Sequence, residues 1–426
     1  MMRAIELPLA GDERQVLDRI DADWIAELAG TLVRAGASNE PGPEHATVQA
    51  LAAVLTGIGA EVELDEVAPG RPNLVARVGS REWGDGVVFL GHSDVVAPGD
   101  GWTGDPFEPR RRGDALVGRG TTDMKGGLAA VVAAMAAVHA EDPRLPMTLV
   151  CTVDEEADAI GALHYLATTA PTTYAACVVA EPTDMVTITA CRGATNLRVE
   201  VTGASAHAGK PDEGASAVLA ASDVIDAVEA DARRLAAAPH PVLGAATWSI
   251  GTIAGGHGTS IVPDRCVLTV DRRTLPHEVP EEILAALLGD ARERTRAAAR
   301  PGSDRIGLAG VVEMVMPGFE TDQDSPLVHC VRDAVRTAGR AGDVGVWTAA
   351  CEGGFMAQHH GAPTVVLGPG DLKNQAHQPD ECVSVSELYD AARAYALIAM
   401  RSADRRGDTP TTSTRPGAAT SPRSNA

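Results

Sequence analysis

Residues 87–94 read VVFLGHSD, a run of four apolar residues that leads directly into a histidine and an aspartate. Short runs of this kind, rich in valine and leucine, are typical of strands that are buried on both faces of a sheet. An apolar run followed by polar residues occurs three more times, at 149–153, 177–180 and 363–367. These four runs predict strands of one sheet, each with reactive side chains beyond its carboxyl end.

Helical spacing lies between these runs, at 126–139 and 157–168. Strands that alternate with helices predict an α/β fold, in which helices sandwich a mostly parallel sheet. The middle of the chain differs, because its apolar and polar residues alternate as they do in half-exposed strands and amphipathic helices. The order strand, helix, strand, strand, helix, strand predicts a ferredoxin-like α+β domain. Its strands include 195–201 and 266–271, and its helices are 213–238 and 281–299.

The length of 426 residues favours two domains, or one domain with a large insertion. We expect a catalytic domain formed by residues 1–191 and 317–401, with the ferredoxin-like domain inserted at 192–316. Residues 402–426 are rich in proline, serine, threonine and arginine, and this composition predicts a disordered tail.

Composition argues against several classes of function. The chain carries 36 basic and 58 acidic residues, a net charge of −22, which disfavours binding to nucleic acid and to anionic membranes. Its start lacks the layout of a signal peptide, and no apolar run reaches the length of about 18 residues that spans a bilayer. Seven scattered cysteines without a C-x-x-C pair argue against a disulfide framework and a cysteine-rich zinc site. We expect a cytoplasmic enzyme that acts on a small molecule.

Histidines and acids follow the predicted strands and could bind metal. His92, Glu156, Glu181 and His377 each follow a different run, and Asp123 stands just before a predicted helix. Ligands of open α/β sheets bind beyond the carboxyl ends of the strands, so these side chains should meet in one crevice. Two histidines and three carboxylates suit a pair of divalent ions such as zinc, cobalt or manganese, with one carboxylate bridging them.

Two neighbouring acids suit supporting roles. Glu155 could take the proton of an attacking water, and Asp94 could hydrogen-bond the second ring nitrogen of His92 and fix its tautomer. Each cluster taken alone has an ordinary interpretation, as a loop pair, an acidic helix start, a turn or a surface histidine. Their common position after buried strands favours a metal site. Dinucleotide-binding, P-loop, G-x-S-x-G and H-E-x-x-H motifs are absent from the sequence.

Six motifs occur in order within residues 45–400: GHSDVVAPGDGWTGDPFEP, GRGTTDMKGG, DEE, AEPTD, GASAHAGKP and GPGDLKNQAHQPDE. They resemble those of one family of metallopeptidases, which includes acetylornithine deacetylase, succinyl-diaminopimelate desuccinylase and carboxypeptidase G. The resemblance is closest to the acetylornithine deacetylases because of EPT at 181–183, DRRTLP at 271–276, Glu352 and AHQPDE at 376–381. It implies a fold like that of zinc exopeptidases, with a lid domain that forms a dimer interface.

The resemblance also implies roles for the ligands. His92 and Glu181 would hold one metal, Glu156 and His377 the other, and Asp123 would bridge them. Glu155 would act first as the general base and then as the acid that protonates the leaving amine. Asp94 would hydrogen-bond to a metal ligand without binding the metals itself.

On the inserted domain, the resemblance implies that His207 stabilises the oxyanion from the partner subunit and that Arg273 binds the α-carboxylate of the substrate. Their ordinary alternatives are a histidine in a turn and a surface arginine at a strand end. Relatives usually carry asparagine where Ser260 stands, and that asparagine is thought to help hold the substrate carboxylate. The acid side of the substrate could therefore differ in this protein.

Together with the ligand set, the resemblance implies a homodimeric amidohydrolase with two divalent metals, zinc or cobalt, which removes an N-acyl group, acetyl above all, from an amino acid. The resemblance places such an activity in amino-acid metabolism, for example in arginine biosynthesis. A dipeptidase, a carboxypeptidase or a desuccinylase with the same site is the alternative. A non-catalytic scaffold is disfavoured because all five ligands and Glu155 are present. The acyl group and the amino acid stay open.

Overall fold

The computed structural model of the protein describes residues 9–36, 44–80 and 86–407, with side chains described as far as residue 402. Within those ranges, none of the helices combines the length and the apolar composition that crossing a bilayer requires. In chain order the strands are β1 (Glu61–Ala68), β2 (Arg71–Val78), β3 (Val87–His92), β4 (Arg110–Arg112), β5 (Ala115–Val117), β6 (Met147–Thr152), β7 (Ala176–Val179), β8 (Thr187–Cys191), β9 (Gly193–Thr202), β10 (Thr247–Gly255), β11 (Arg265–Thr274), β12 (Gly307–Met316), β13 (Phe319–Glu320), β14 (Val344–Trp347), β15 (Thr364–Val366) and β16 (Cys382–Ser384). The helices are α1 (Gly11–Leu17), α2 (Ala22–Arg34), α3 (Glu44–Gly57), α4 (Gly126–Glu141), α5 (Ile160–Thr168), α6 (Ala217–Ala237), α7 (Pro280–Ala297), α8 (Pro326–Thr337), α9 (Gly353–His360) and α10 (Val385–Gly407).

The larger sheet has nine strands within the described ranges, in the order β1-β2-β6-β3-β7-β15-β8-β13, with β14 beside β8. Its centre, β6-β3-β7-β15, is parallel, and antiparallel pairs flank it on both sides. The predicted α/β fold is confirmed, with antiparallel strands added at the margins. In β3 and β6, His92 lies opposite Thr152, so the two strands end side by side.

Helices cover both faces of this sheet, as the sequence predicts. Phe89 points towards the layer that contains α4 and α10, where its ring meets that of Tyr395 edge to face at 5.3 Å. Its neighbours Val88 and Leu90 belong to the core on the opposite face. This alternation is the two-residue period of a strand, and burial on both faces explains why the run is apolar throughout.

The inserted domain has the predicted ferredoxin-like order β9-α6-β10-β11-α7-β12, and its antiparallel sheet is ordered β10-β11-β9-β12. Leu197, Val199 and Val201 of β9 alternate with polar residues and pack with α6 and α7 in a separate core. The chain enters this domain at Gly193. A Cβ there would lie 2.3 Å from Thr274 Oγ1 and 2.6 Å from the carbonyl oxygen of Met316, so the entering and leaving strands approach closely.

Most element ends differ from the prediction by a few residues, and three of the differences have a local cause. Helix α5 begins at Ile160 instead of 157, because Ala159 has left-handed backbone and Asp154 accepts backbone N–H groups there. Helix α6 begins at Ala217 instead of 213, where Ser216 accepts the N–H of Leu219 as an N-cap. Helix α10 runs to Gly407 and includes the first residues of the predicted tail, since alanine and arginine favour helix. The rest of that tail, 408–426, lies outside the described residues.

Candidate metal centre

The five predicted metal ligands meet beyond the carboxyl ends of the central strands. They form two groups that share Asp123: His92 and Glu181 on one side, Glu156 and His377 on the other. In each group, one potential ligand atom from every residue lies within 4.8 Å of the others. One shared carboxylate between two pairs is the arrangement that a binuclear site requires.

The distances assign the two oxygens of Asp123 to different histidines. The Nε2 atom of His92 lies 3.3 Å from Asp123 Oδ1 and 3.3 Å from Glu181 Oε1. The Nε2 atom of His377 lies 3.2 Å from Asp123 Oδ2 and 3.1 Å from Glu156 Oε1. Asp123 is therefore placed to act as a bridge.

The electrostatics of the centre favour positive charge. Hydrogen bonds to Asp123 and Glu156 raise the pKa of His377 to about 10. Burial lowers the pKa of His92, but the charge of Glu181 and hydrogen bonds to its acidic neighbours outweigh it, and the pKa is raised well above its usual value. Burial and the charge of Asp123 raise the pKa of Glu181 to about 7. Imidazoles and crowded carboxylates that attract positive charge fit a pair of divalent cations.

Asp94 lies against the second ring nitrogen of His92 and also connects two of the strand ends. The Nδ1 atom of His92 lies 3.0 Å from the backbone carbonyl oxygen of Asp94 and 3.5 Å from its carboxylate. The shorter contact suits an Nδ1–H donor, which leaves Nε2 available as a ligand. The carboxylate of Asp94 accepts the N–H groups of Glu155, at 3.2 Å, and Glu156, at 3.1 Å. It thus fixes the turn after β6 against the end of β3.

A buried ion-pair network also holds the turn that follows β6. Asp154 has left-handed backbone, with φ of 67°, and its carboxylate accepts a 2.7 Å hydrogen bond from Arg71. Arg71 also pairs with Glu44, which is fully buried. Sequence reasoning missed Arg71 and Glu44, because they lie 83 and more residues before the turn and belong to no local pattern.

Glu155 is half-buried beside these carboxylates. Burial, with the negative charges of Glu181, Glu156 and Glu352 adding to it, raises the pKa of Glu155 well above its usual value. A carboxyl group of raised pKa can both accept and release a proton near neutral pH. This property suits the base and acid roles predicted for it.

Sequence reasoning also missed two charged residues that are buried beneath the centre. Glu352, at the start of α9, accepts a 2.5 Å hydrogen bond from the hydroxyl of Thr152, and burial raises its pKa to about 8. Lys125 is fully buried two residues after Asp123, and burial lowers its pKa to about 8. The sequence does single out Glu352, as one of the positions that resemble the deacetylases, but the resemblance implied no role for it.

The structure does not bring three other predicted residues to the ligands. His207 and Ser260 are exposed and adjacent on the inserted domain, where the N–H of Ala208 donates to the carbonyl oxygen of Ser260 at 3.0 Å. The Nδ1 atom of His207 accepts the N–H of Gly209 at 3.0 Å. Arg273 lies near the end of β11, half-exposed, and donates to Asp271 at 3.1 Å.

Comparison with known proteins agrees with this geometry. Residues 88–401 match the family model of Peptidase family M20/M25/M40. The chain belongs to this family. The acetylornithine deacetylase of Vibrio parahaemolyticus serotype O3:K6 (strain RIMD 2210633) is 32% identical over 341 residues, which cover 79% of this chain and 86% of that protein.

Solved structures show the same fold. A tripeptidase from Staphylococcus aureus subsp. aureus Mu50 superposes with a TM-score of 0.71 at 21% identity, covering 91% of this chain and all of that one (100%). The aminopeptidase PepT from Bacillus cereus ATCC 10987 gives a TM-score of 0.70 at 22% identity, covering 90% of this chain and 100% of its own. Family membership confirms the predicted class of enzyme, a metal-dependent hydrolase that acts on amide bonds.

Proposed function

We propose that the protein is a two-metal amidohydrolase that removes an acyl group, acetyl above all, from the amino group of an amino acid. The observation that carries this proposal is the pair of ligand groups that share Asp123. The 32% identity to an acetylornithine deacetylase over 79% of the chain supports the deacetylase reaction.

His92 and Glu181 would hold one divalent cation, Glu156 and His377 the other, and Asp123 both. Zinc or cobalt ions bound here would polarise the scissile carbonyl and acidify the attacking water. Contacts within the chain hold the ligands in place before metal binds. His92 ends a buried strand, and its Nδ1 atom is hydrogen-bonded to the carbonyl oxygen of Asp94. Fixed ligands of this kind need little rearrangement on binding.

Glu155 moves the proton in the proposed reaction. Its carboxylate accepts a proton from the attacking water and then delivers it to the leaving amine. Both steps are efficient when the pKa of the carboxyl group lies near the working pH, and burial among other carboxylates raises the pKa of Glu155 in that direction. The turn held by Asp94 keeps Glu155 beside Glu156.

The inserted domain would recognise the substrate. Arg273 would bind the α-carboxylate as a fork, and burial together with the charge of Arg273 lowers the pKa of nearby Arg192, so two guanidinium groups make this region positive. We further propose that the protein is a homodimer, in which the exposed His207 and Ser260 reach the metal centre of the partner subunit. The support is their joint position on one exposed surface.

A peptidase that uses the same centre is the second candidate. The solved structures with this fold include a tripeptidase and an aminopeptidase, and Ser260 stands where the family resemblance implies an asparagine. The cytoplasmic location and the place in arginine biosynthesis expected from the sequence remain predictions.

Hydrolysis of a panel by the zinc- or cobalt-loaded protein separates the two candidates. The panel pairs N-acetyl, N-formyl and N-succinyl derivatives of ornithine, citrulline, diaminopimelate and neutral amino acids with dipeptides and tripeptides of the same residues. We expect the highest kcat/KM for an N-acetyl amino acid. A higher value for any peptide would contradict the deacylase and support the peptidase. The metal-stripped protein is the control and should be inactive.

A further inference from the structure

A buried carboxylate outside the ligand set holds the backbone of the shared ligand. Glu381 is fully buried and follows His377 by four residues. Its Oε1 atom accepts the N–H of Thr122 at 2.8 Å and the N–H of Asp123 at 3.1 Å. Two hydrogen bonds to one charged oxygen are strong, so this side chain fixes where the Asp123 peptide lies.

The other oxygen of Glu381 is held equally firmly. Its Oε2 atom accepts a 2.5 Å hydrogen bond from Arg119, which is 1% exposed. Arg119 in turn donates to the carbonyl oxygen of Pro98 at 3.2 Å and stacks over the ring of Trp102 at 5.2 Å. The buried negative charge therefore has a matching positive charge, and the carboxylate has little freedom to turn.

The turn that carries Asp123 depends on this segment. It begins at Gly120, whose φ of 84° is left-handed and whose added Cβ would lie 2.6 Å from the side chain of Val95. The N–H of Gly118 donates to the carbonyl oxygen of Glu381 at 2.9 Å, and the hydroxyl of Thr122 donates to that of Cys382 at 2.8 Å. Backbone and side-chain contacts thus hold the turn to residues 381 and 382.

We propose that Glu381 is a positioning residue that couples the two metal positions, by orienting the shared ligand Asp123 and anchoring the loop that bears His377. This inference rests on the two-metal function proposed above. The two positions should not depend on Glu381 equally. His92 and Glu181 are buried at the ends of strands, whereas the His377 side chain is 47% exposed and lies on the loop that Glu381 anchors.

Zinc titration of the metal-stripped, full-length protein by calorimetry tests this coupling. Wild type should bind two equivalents. In Glu381→Gln, either orientation of the amide places its NH₂ group against a donor, Arg119 or the backbone N–H groups. We expect the Kd of the first zinc equivalent to change by less than about threefold and the Kd of the second to rise by at least about tenfold. The decrease in kcat should be larger than the increase in KM.

Two further variants make the test specific. Asp380→Asn removes one charge from the same loop, but Asp380 contacts Thr103 and Arg110 instead of the Asp123 turn, so both equivalents should bind as in wild type. Thr122→Val removes only the hydrogen bond to Cys382, without a change of charge, and should weaken the second equivalent by about threefold.

Unchanged affinity for both equivalents in Glu381→Gln would overturn the coupling while leaving the two-metal function intact. An equal loss in Asp380→Asn would overturn it as well, since the effect would then not come from the turn. If far-UV circular dichroism shows that Glu381→Gln is unfolded, Thr122→Val decides, and an unchanged second equivalent overturns the proposal. Fewer than two equivalents in wild type would instead contradict the proposed two-metal function.

Discussion

The metal centre and the outer surface of the inserted domain present their predicted site residues in opposite ways. At the centre, five ligands from distant parts of one chain lie in contact, and His92, Asp123 and Glu181 are buried there. On the inserted domain, His207 and Ser260 are exposed side by side, and their described contacts join their two loops to each other or lie within the His207 loop. The first region is complete within one chain, whereas the second gains a role in catalysis only if another surface meets it.

The largest effect should come from the proton carrier at the centre. Glu155→Ala should lower kcat by about a thousandfold, because general acid and base catalysis is lost while the ligands stay. The measurement is kcat on an N-acetyl amino acid, with metal content determined by atomic absorption on the same sample. Glu156→Ala is the matched control, which should lose metal as well as activity. Full activity of Glu155→Ala would rule out the assigned role.

His207 should show the next largest effect and tests the link between the two regions. His207→Ala should lower kcat by about a hundredfold with metal content unchanged, as expected when one donor to the oxyanion is lost. Mixing this variant with Glu155→Ala, after dissociation and reassociation of subunits, should restore activity. A mixed dimer then has one site with Glu155 from one subunit and His207 from the other. If mixed dimers form but activity does not recover, His207 acts at the metal centre of its own subunit or does not act at a metal centre at all.

Arg273 should affect substrate binding more than turnover. Arg273→Met should raise KM for N-acetyl amino acids by about tenfold, since a charged hydrogen bond to the carboxylate is lost. The KM of Arg273→Lys should lie between that of Arg273→Met and that of wild type, because lysine keeps the charge but not the forked hydrogen-bonding geometry. Arg265→Met, at the opposite end of β11 where Arg265 pairs with Glu200, is the control and should leave KM unchanged. An equal KM rise in both variants would indicate a general effect on the domain.

The two regions also differ in how far the sequence could predict them. His92, Glu156 and Glu181 could be predicted because each lies within three residues of the end of a short apolar run, and strands that end together bring such residues together. His377 lies farther from its run, and Asp123 was predicted from its position just before a helix.

The supports of these ligands could not be predicted, because Arg119 and Glu381 are separated by 262 residues and neither lies in a pattern that requires the other. The same holds for Arg71 and Asp154, 83 residues apart. For His207 the resemblance implied a role that no local pattern could have supplied.

The smallest effect should come from Ser260, which stands where the family resemblance implies an asparagine. A serine offers one hydroxyl where an asparagine amide reaches farther and presents two kinds of polar atom. If Ser260 faces the carboxylate of a substrate in the partner subunit, Ser260→Asn should lower KM for N-acetyl ornithine by about threefold, the value of one added hydrogen bond. Thr259→Asn, one residue earlier on the same exposed loop, is the control and should not change KM. Identical KM values for all three proteins would separate this surface from substrate recognition and leave specificity to the region around Arg273.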